Sequence, residues 1–158
     1  MPCAYPEAGD RNLENALVSC QNQLEDLLNN SIAVISYFRL FADGTLEQEY
    51  FSATSETVFG YTQEELIADK YLWFSKILPE DREKIILPTL KQLLSESKMA
   101  IEYRFCDRDE NIHWISSTFT SRRSETSDCW IVTSYSMDIS KQKQTEVSLQ
   151  SNEALLSA

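Results

Sequence analysis

A chain of 158 residues with 42% hydrophobic residues can bury one core, which points to a single domain with extensions. Its 25 acidic residues against 14 basic ones give a net charge of −11, and this argues against a nucleic-acid partner, whose binding needs clustered Lys and Arg. No apolar run is long enough to cross a bilayer and no basic start precedes an apolar stretch, so a cytoplasmic domain without a membrane span is expected.

Residues 1–9 carry Pro2, Pro6 and Gly9 without periodicity and read as a flexible tail. An amphipathic helix is expected over 10–29. Leu13, Leu17, Cys20, Leu24 and Leu27 recur with steps of four and three, which keeps one narrow apolar seam on a helix. Two readings of this seam stay open: it packs on the domain's own sheet, or it closes on a second copy of the chain to form a homodimer. Its narrowness favours the second, because a core-facing helix usually carries a wider stripe.

From Ile32 the text changes to strand. Residues 32–41 are rich in β-branched and aromatic types, Ala42-Asp43-Gly44-Thr45 supplies turn chemistry, and a returning strand over about 45–51 completes a hairpin. Short helices follow within 52–78. Thr62-Gln63-Glu64-Glu65 fits a capping box that starts a helix near Gln63, and Gly60 before it suits a tight joint where a side chain would obstruct. Tyr71, Trp73, Phe74 and Ile77 form an apolar cluster expected to be core or cavity lining.

The longest internal helix is expected to start at Pro79, where a missing amide hydrogen is harmless and Glu80, Asp81 and Glu83 suit the positive end of the helix dipole. Pro88 removes a hydrogen bond further along, so a kink or break near Leu87 is predicted. Ile101, Tyr103 and Phe105 then alternate with Glu102, Arg104 and Cys106, and strands over 112–122 and 130–137 follow across two polar turns. Five strands with helices grouped between the second and third predict an α+β fold, an antiparallel sheet covered on one face.

The four cysteines, Cys3, Cys20, Cys106 and Cys129, form no Cys-x-x-Cys pair, so no zinc or redox motif is expected and the thiols should be reduced. Three glycines supply no phosphate-binding loop, and no paired carboxylates or metal-ligand spacing mark a catalytic centre. No catalytic or metal residues are therefore assigned, and the chain is not expected to be an enzyme.

Phe59-Gly60-Tyr61-Thr62-Gln63-Glu64-Glu65-Leu66, Leu78-Pro79-Glu80-Asp81-Arg82-Glu83, Glu102-Tyr103-Arg104-Phe105, His113-Trp114 and Met137-Asp138-Ile139-Ser140 occur in this order over roughly one hundred residues. Together they resemble the Per-Arnt-Sim (PAS) family, in particular its bacterial subclass ending in Asp-Ile-Thr. The resemblance implies a domain over 30–140 with strand order 2-1-5-4-3, flanked by the incoming helix and a linker helix over 141–158. Four departures stand out: Ser52 where the family usually has Asn, Leu78 where it has His, Asp109-Glu110 where it has Asp-Gly, and Ser140 where it has Thr.

By the same resemblance, Asp138, Ile139 and Ser140 would transmit a signal from the last strand to the outgoing helix, where Asp138 and Ser140 have the oxygen acceptors to cap it. An ordinary cap without a switching role is the alternative. Tyr37, Phe51, Trp73, Tyr103 and Phe105 are candidates for lining a ligand pocket, or are plain core. The cofactor stays unknown. Haem is not expected because the only histidine, His113, lies on a strand, and flavin is not expected because the family's Asn-Cys-Arg motif is absent.

The implied function is a signal-sensing and dimerisation module of a bacterial sensor protein, a histidine kinase or similar in a two-component system, with an effector domain further along the same polypeptide. A small-molecule ligand fits that role. The competing readings are an interaction adaptor with no ligand and, behind it, a small-molecule enzyme built on the same sheet.

Overall fold

The computed structural model describes residues 8–29 and 32–156. Most of the expected tail, and Cys3 with it, lies outside the described residues, while Ala8 and Gly9 already belong to the first helix, α1 (Ala8–Asn29). Five antiparallel strands follow: β1 (Val34–Leu40), β2 (Leu46–Phe51), β3 (Lys98–Cys106), β4 (Ile112–Arg123) and β5 (Trp130–Asp138), ordered β2-β1-β5-β4-β3. This is the order the resemblance implied.

One face of the sheet carries the core. Strand alternation sends Val34, Phe38 and Leu40 inward from β1, Tyr103 and Phe105 from β3, Ile115 and Phe119 from β4 and Val132 from β5. The β1–β2 pairing contains a bulge. Tyr37 pairs with Tyr50 and Phe38 with Gln48, so Glu49 is the extra residue and the alternation that buries Leu46 and Gln48 is reset to bury Phe51. Ser52, standing where the family usually has Asn, is fully buried and accepts the Ile35 amide hydrogen on its Oγ at 3.0 Å. It fastens the end of β2 to the start of β1.

The inner face is covered by α2 (Ser55–Phe59), α3 (Gln63–Ala68), α4 (Leu72–Lys76), α5 (Pro79–Asp81) and α6 (Leu87–Leu93). The expected capping box is present: the Glu65 amide donates to Thr62 Oγ1 at 3.2 Å, and the Thr62 amide donates to Glu65 Oε1 at 3.4 Å. Gly60 ends α2 at φ +79°, and a Cβ there would sit 3.2 Å from the Asp107 Cβ. It is a glycine by conformation and by space.

The interruption expected from Pro88 takes a particular form and lies upstream of Leu87. Residues Arg82–Ile86 widen into a π-helical turn, with the Leu87 amide donating to the Arg82 carbonyl, and α6 restarts with Pro88 in its first turn. Thr89 Oγ1 donates to the Ile85 carbonyl at 2.7 Å, which satisfies an acceptor within the widened turn. Of the apolar cluster at 71–77, Trp73 and Ile77 are buried and Phe74 packs against the core, but Tyr71 is 49% exposed. Its place at the start of α4 turns the ring outward, beneath the Lys70 ammonium.

The last helix, α7 (Ser140–Leu156), leaves the end of β5. Neither it nor α1 is folded into the core. Residues 11–27 of α1 are exposed, including Leu13, Leu17, Cys20, Leu24 and Leu27, so the seam does not pack on the chain's own sheet. Among the described residues no helix is long and apolar enough to cross a membrane.

Candidate functional site

Between the sheet and its helical cover lies a cavity of about 10 Å³, the room of a single water molecule. Phe51 and Trp73 line it, together with Ser36, Phe38, Gln48, Phe59, Phe119, Ser134 and Ser136. Tyr103 and Phe105 are fully buried beside it, Tyr103 edge-on to Trp73 with ring centroids 5.9 Å apart and Phe105 against Phe59 at 4.8 Å. Tyr37 is not brought to this place. Ser36 and Phe38 point inward, so the residue between them is half-buried on the opposite face of β1.

The polar residues of this core form a chain the sequence reading passed over. The Trp73 indole N–H donates to the Tyr103 hydroxyl at 3.3 Å, that hydroxyl lies 2.8 Å from Ser117 Oγ, and Ser117 Oγ lies 2.6 Å from Ser136 Oγ. Hydrogen bonds therefore run from α4 across β3 and β4 to β5. Burial raises the Tyr103 pKa to about 12 against the opposing hydrogen bonds to Ser117, Trp73 and Ser136, so the phenol is neutral at physiological pH. Ser36 and Ser134 form a second hydroxyl pair beside the cavity. Gln48 Oε1 is buried there without a hydrogen-bond partner, so the cavity offers an acceptor for a water or for the hydroxyl or amine of a small molecule.

Strand alternation is the signal that marks these serines. Ser117 and Ser121 stand in phase with Ile115 and Phe119 on β4, and Ser134 and Ser136 with Val132 on β5. Buried hydroxyls are tolerated only when paired: Ser117 faces Ser136 and Ser134 faces Ser36 across the ladder, and Ser121 Oγ bonds to the Ser97 backbone.

Two residues beyond Ser136 the sheet meets α7. The Ser140 amide donates to Asp138 Oδ1 at 2.9 Å, capping the helix start, and Ser140 Oγ accepts the Trp114 amide hydrogen at 2.9 Å. The Ile139 amide donates to the Trp114 carbonyl at 2.8 Å, so both backbone groups of Trp114 hold the Asp138-Ile139-Ser140 segment. The Trp114 ring lies under the Lys143 ammonium at 5.1 Å and the Arg104 guanidinium at 5.7 Å, and Lys143 pairs with Glu102 at 2.5 Å.

The other carboxylate oxygen of Asp138 faces His113 Nδ1 at 2.9 Å, and His113 Nε2 faces Asp107 Oδ2 at 2.6 Å. Asp107 in turn accepts the amide hydrogens of Asp109 and Asn111, both at 2.9 Å, which shapes the β3–β4 turn. Burial pushes the Asp138 carboxyl pKa up, but hydrogen bonds from Ser140 and His113 hold it below its ordinary value. Sequence separation hid this bridge, since His113 lies 25 residues from Asp138 and reads by itself as a solvated strand residue.

A third polar anchor ties the helical cover to the sheet. Asp81, buried at the start of the widened helix, accepts from the Arg104 backbone amide at 2.8 Å, from Nε at 3.0 Å and from Nη2 at 2.7 Å. Hydrogen bonds from Arg104 hold the Asp81 carboxyl below the usual carboxylate range against the opposing effect of burial. Among the described residues no group of His, Cys, Asp and Glu is placed to hold a metal ion. The cysteines there, Cys20, Cys106 and Cys129, are free thiols.

Such a sheet with its helices on one face, the aromatic core beneath them and a strand-to-helix joint at the end of β5 define a PAS-type domain, and comparison with known proteins agrees. The sequence model of the family described as "PAS fold" matches residues 48–135, more than half of the chain, and the protein belongs to this family. The match ends inside β5, before Asp138.

Among solved structures, the PAS domain of a protein from Colwellia psychrerythraea is similar at a TM-score of 0.61 and 21% identity, over 77% of this chain and 98% of that one. The PAS domain of an HTR-like protein from Haloarcula marismortui gives 0.60 and 21%, over 82% and 99%. A sensory box histidine kinase/response regulator from Burkholderia thailandensis gives 0.56 and 20%, over 77% and 89%. At these identities the likeness is one of fold. No curated protein matches the chain.

Proposed function

We propose that the chain is a signal-sensing and dimerisation module of a cytoplasmic bacterial sensor protein, a histidine kinase or a relative of one. The observation that carries this reading is the joint at Asp138-Ile139-Ser140, where α7 is fixed to β4 and β5 by directional hydrogen bonds instead of by burial of an apolar face. A change in sheet packing alters the geometry of those bonds, and the helix they hold is exposed from 144 to 155. The structural neighbours named as histidine kinase domains, and one named as the N-terminal domain of a diguanylate cyclase with PAS/PAC sensor from Marinobacter aquaeolei, favour an effector in the same polypeptide.

Dimerisation is assigned to α1. Leu13, Leu17, Leu24 and Leu27 are 66%, 64%, 53% and 71% exposed, and a second copy of the same seam would bury them in heptad register. The input acts on the cavity and its polar chain. This role requires no catalytic step by the chain itself.

Replacing Asp138 with Ala tests the joint. Amide exchange at residues 141–145 should accelerate roughly fivefold, the loss of a cap worth about 1 kcal/mol, while the strands keep their protection. Unchanged exchange over those residues would remove the transmitting role and leave an ordinary helix start.

A further inference from the structure

The ring of His113 is held between two carboxylates, one on each nitrogen: Asp138 on Nδ1 at 2.9 Å and Asp107 on Nε2 at 2.6 Å. A carboxylate only accepts, so both contacts are hydrogen bonds only when both nitrogens carry protons, that is, when the ring is an imidazolium. A neutral imidazole has one N–H. It can keep Asp107 or Asp138, and it turns a lone pair toward the other. The two carboxylates belong to different parts of the machinery, Asp107 to the β3–β4 turn that abuts Gly60 and Asp138 to the cap of α7.

We propose that His113 makes the start of α7 responsive to protons, the imidazolium clamping the capping carboxylate Asp138 to the β3–β4 turn through Asp107 and the neutral ring releasing one of the two. This rests on the reading of Asp138-Ile139-Ser140 as the transmitting joint and gives it an input of its own, separate from the cavity.

Three cations on the neighbouring elements are committed elsewhere. Arg108 in the turn pairs with Glu65, Arg104 on β3 with Asp81 and Glu80, and Lys143 on α7 with Glu102. The ring's hydrogen-bond partners are Asp107 and Asp138, and the titratable groups next to them in sequence, Cys106, Asp109, Glu110 and Lys141, do not bond to it. Burial works to lower the His113 pKa, and the bonds to Asp107 and Asp138 outweigh it and raise the value above the ordinary 6.5. For a group raised in the folded state, its stabilisation is complete below the ordinary value and is lost as pH rises through the raised one. Asp107 and Asp138 are both held below their ordinary 3.8, so the clamp persists down to that acid limit.

The chain has a single histidine, so its ring resonances are unambiguous in an NMR titration of these 158 residues. The ring should titrate with a midpoint above 6.5, and the amides of residues 141–145 should move with the same midpoint. Their exchange, corrected for intrinsic pH dependence, should lose roughly tenfold protection across the transition, as expected for one charge-assisted hydrogen bond. His113→Gln should abolish the transition at those amides, and His113→Arg should hold them in the low-pH pattern. Amides that ignore the ring's titration in the wild-type chain overturn the proposal without any variant, as does a transition that survives in His113→Gln. If Asp138→Ala loosens α7 but pH does not, only the proton response fails; if Asp138→Ala changes nothing, the joint itself fails.

Discussion

Glu110 adopts φ +64° in the β3–β4 turn, a left-handed conformation that glycine reaches without steric cost. The sequence flagged this place because PAS domains usually have Asp-Gly there, and the structure supplies the reason. Glu110→Gly should raise stability by roughly 0.5–1 kcal/mol in chemical denaturation, the relief of strain exceeding the added freedom of the unfolded chain. Equal or lower stability would mean that the Glu110 side chain contributes more than its backbone costs. Asp81 makes the opposite case. Asp81→Ala leaves the Arg104 amide and guanidinium without their buried acceptor and should destabilise by about 2–3 kcal/mol in the same assay.

At the scale of elements, what sequence could reveal followed periodicity and local chemistry. The strands, the capping box at Thr62 and the helix start at Pro79 were legible because each is written within a few residues. Other features were not. The bulge at Glu49 shifts the phase of β2, and nothing local to Leu46–Phe51 announces it. Pro88 declared a fault in the helix but not that the chain would absorb it as a π turn upstream. Tyr37 stays out of the pocket because strand phase, and not aromatic character, sets the face, and it places Ser36 and Phe38 inward instead. The buried serines and the His113 bridge depend on contacts across the sheet, so they emerge only once the strand order is fixed.

The exposed seam of α1 carries the prediction proper to an element. Leu17→Asp together with Leu24→Asp places charges at the centre of the stripe, and light scattering should change from a dimer in the wild-type chain to a monomer in the variant. The far-ultraviolet signal of the sheet should persist, since neither leucine touches the core. A wild-type chain that is monomeric at high concentration would remove the dimer from this account.

At the scale of the molecule, the separate signatures form one connected structure. The Gly60-to-Leu66 segment packs on the β3–β4 turn through Gly60 against Asp107 and through Arg108 with Glu65. That turn reaches the joint through His113 and Asp138. The Pro79-Glu80-Asp81 segment grips β3 through Arg104, which also faces the Trp114 ring beside Lys143 of α7. From the cavity, Trp73, Tyr103, Ser117 and Ser136 lead to the same end of β5. The polar route along the edge thus reaches the start of α7, and the internal one ends at Ser136 on the strand that leads into it.

Whether a change in the core reaches that helix is measured most directly by amide chemical shifts in a double-mutant cycle. Trp73→Phe removes the indole donor at the far end of the internal chain without touching α7. The predicted result is a shift of the amides at 140–147 in the wild-type background that is lost or strongly reduced when Asp138 is Ala. If Trp73→Phe leaves residues 140–147 unmoved while perturbing Tyr103 and Ser117, the core and the last helix are uncoupled and the relay proposed for this domain is contradicted.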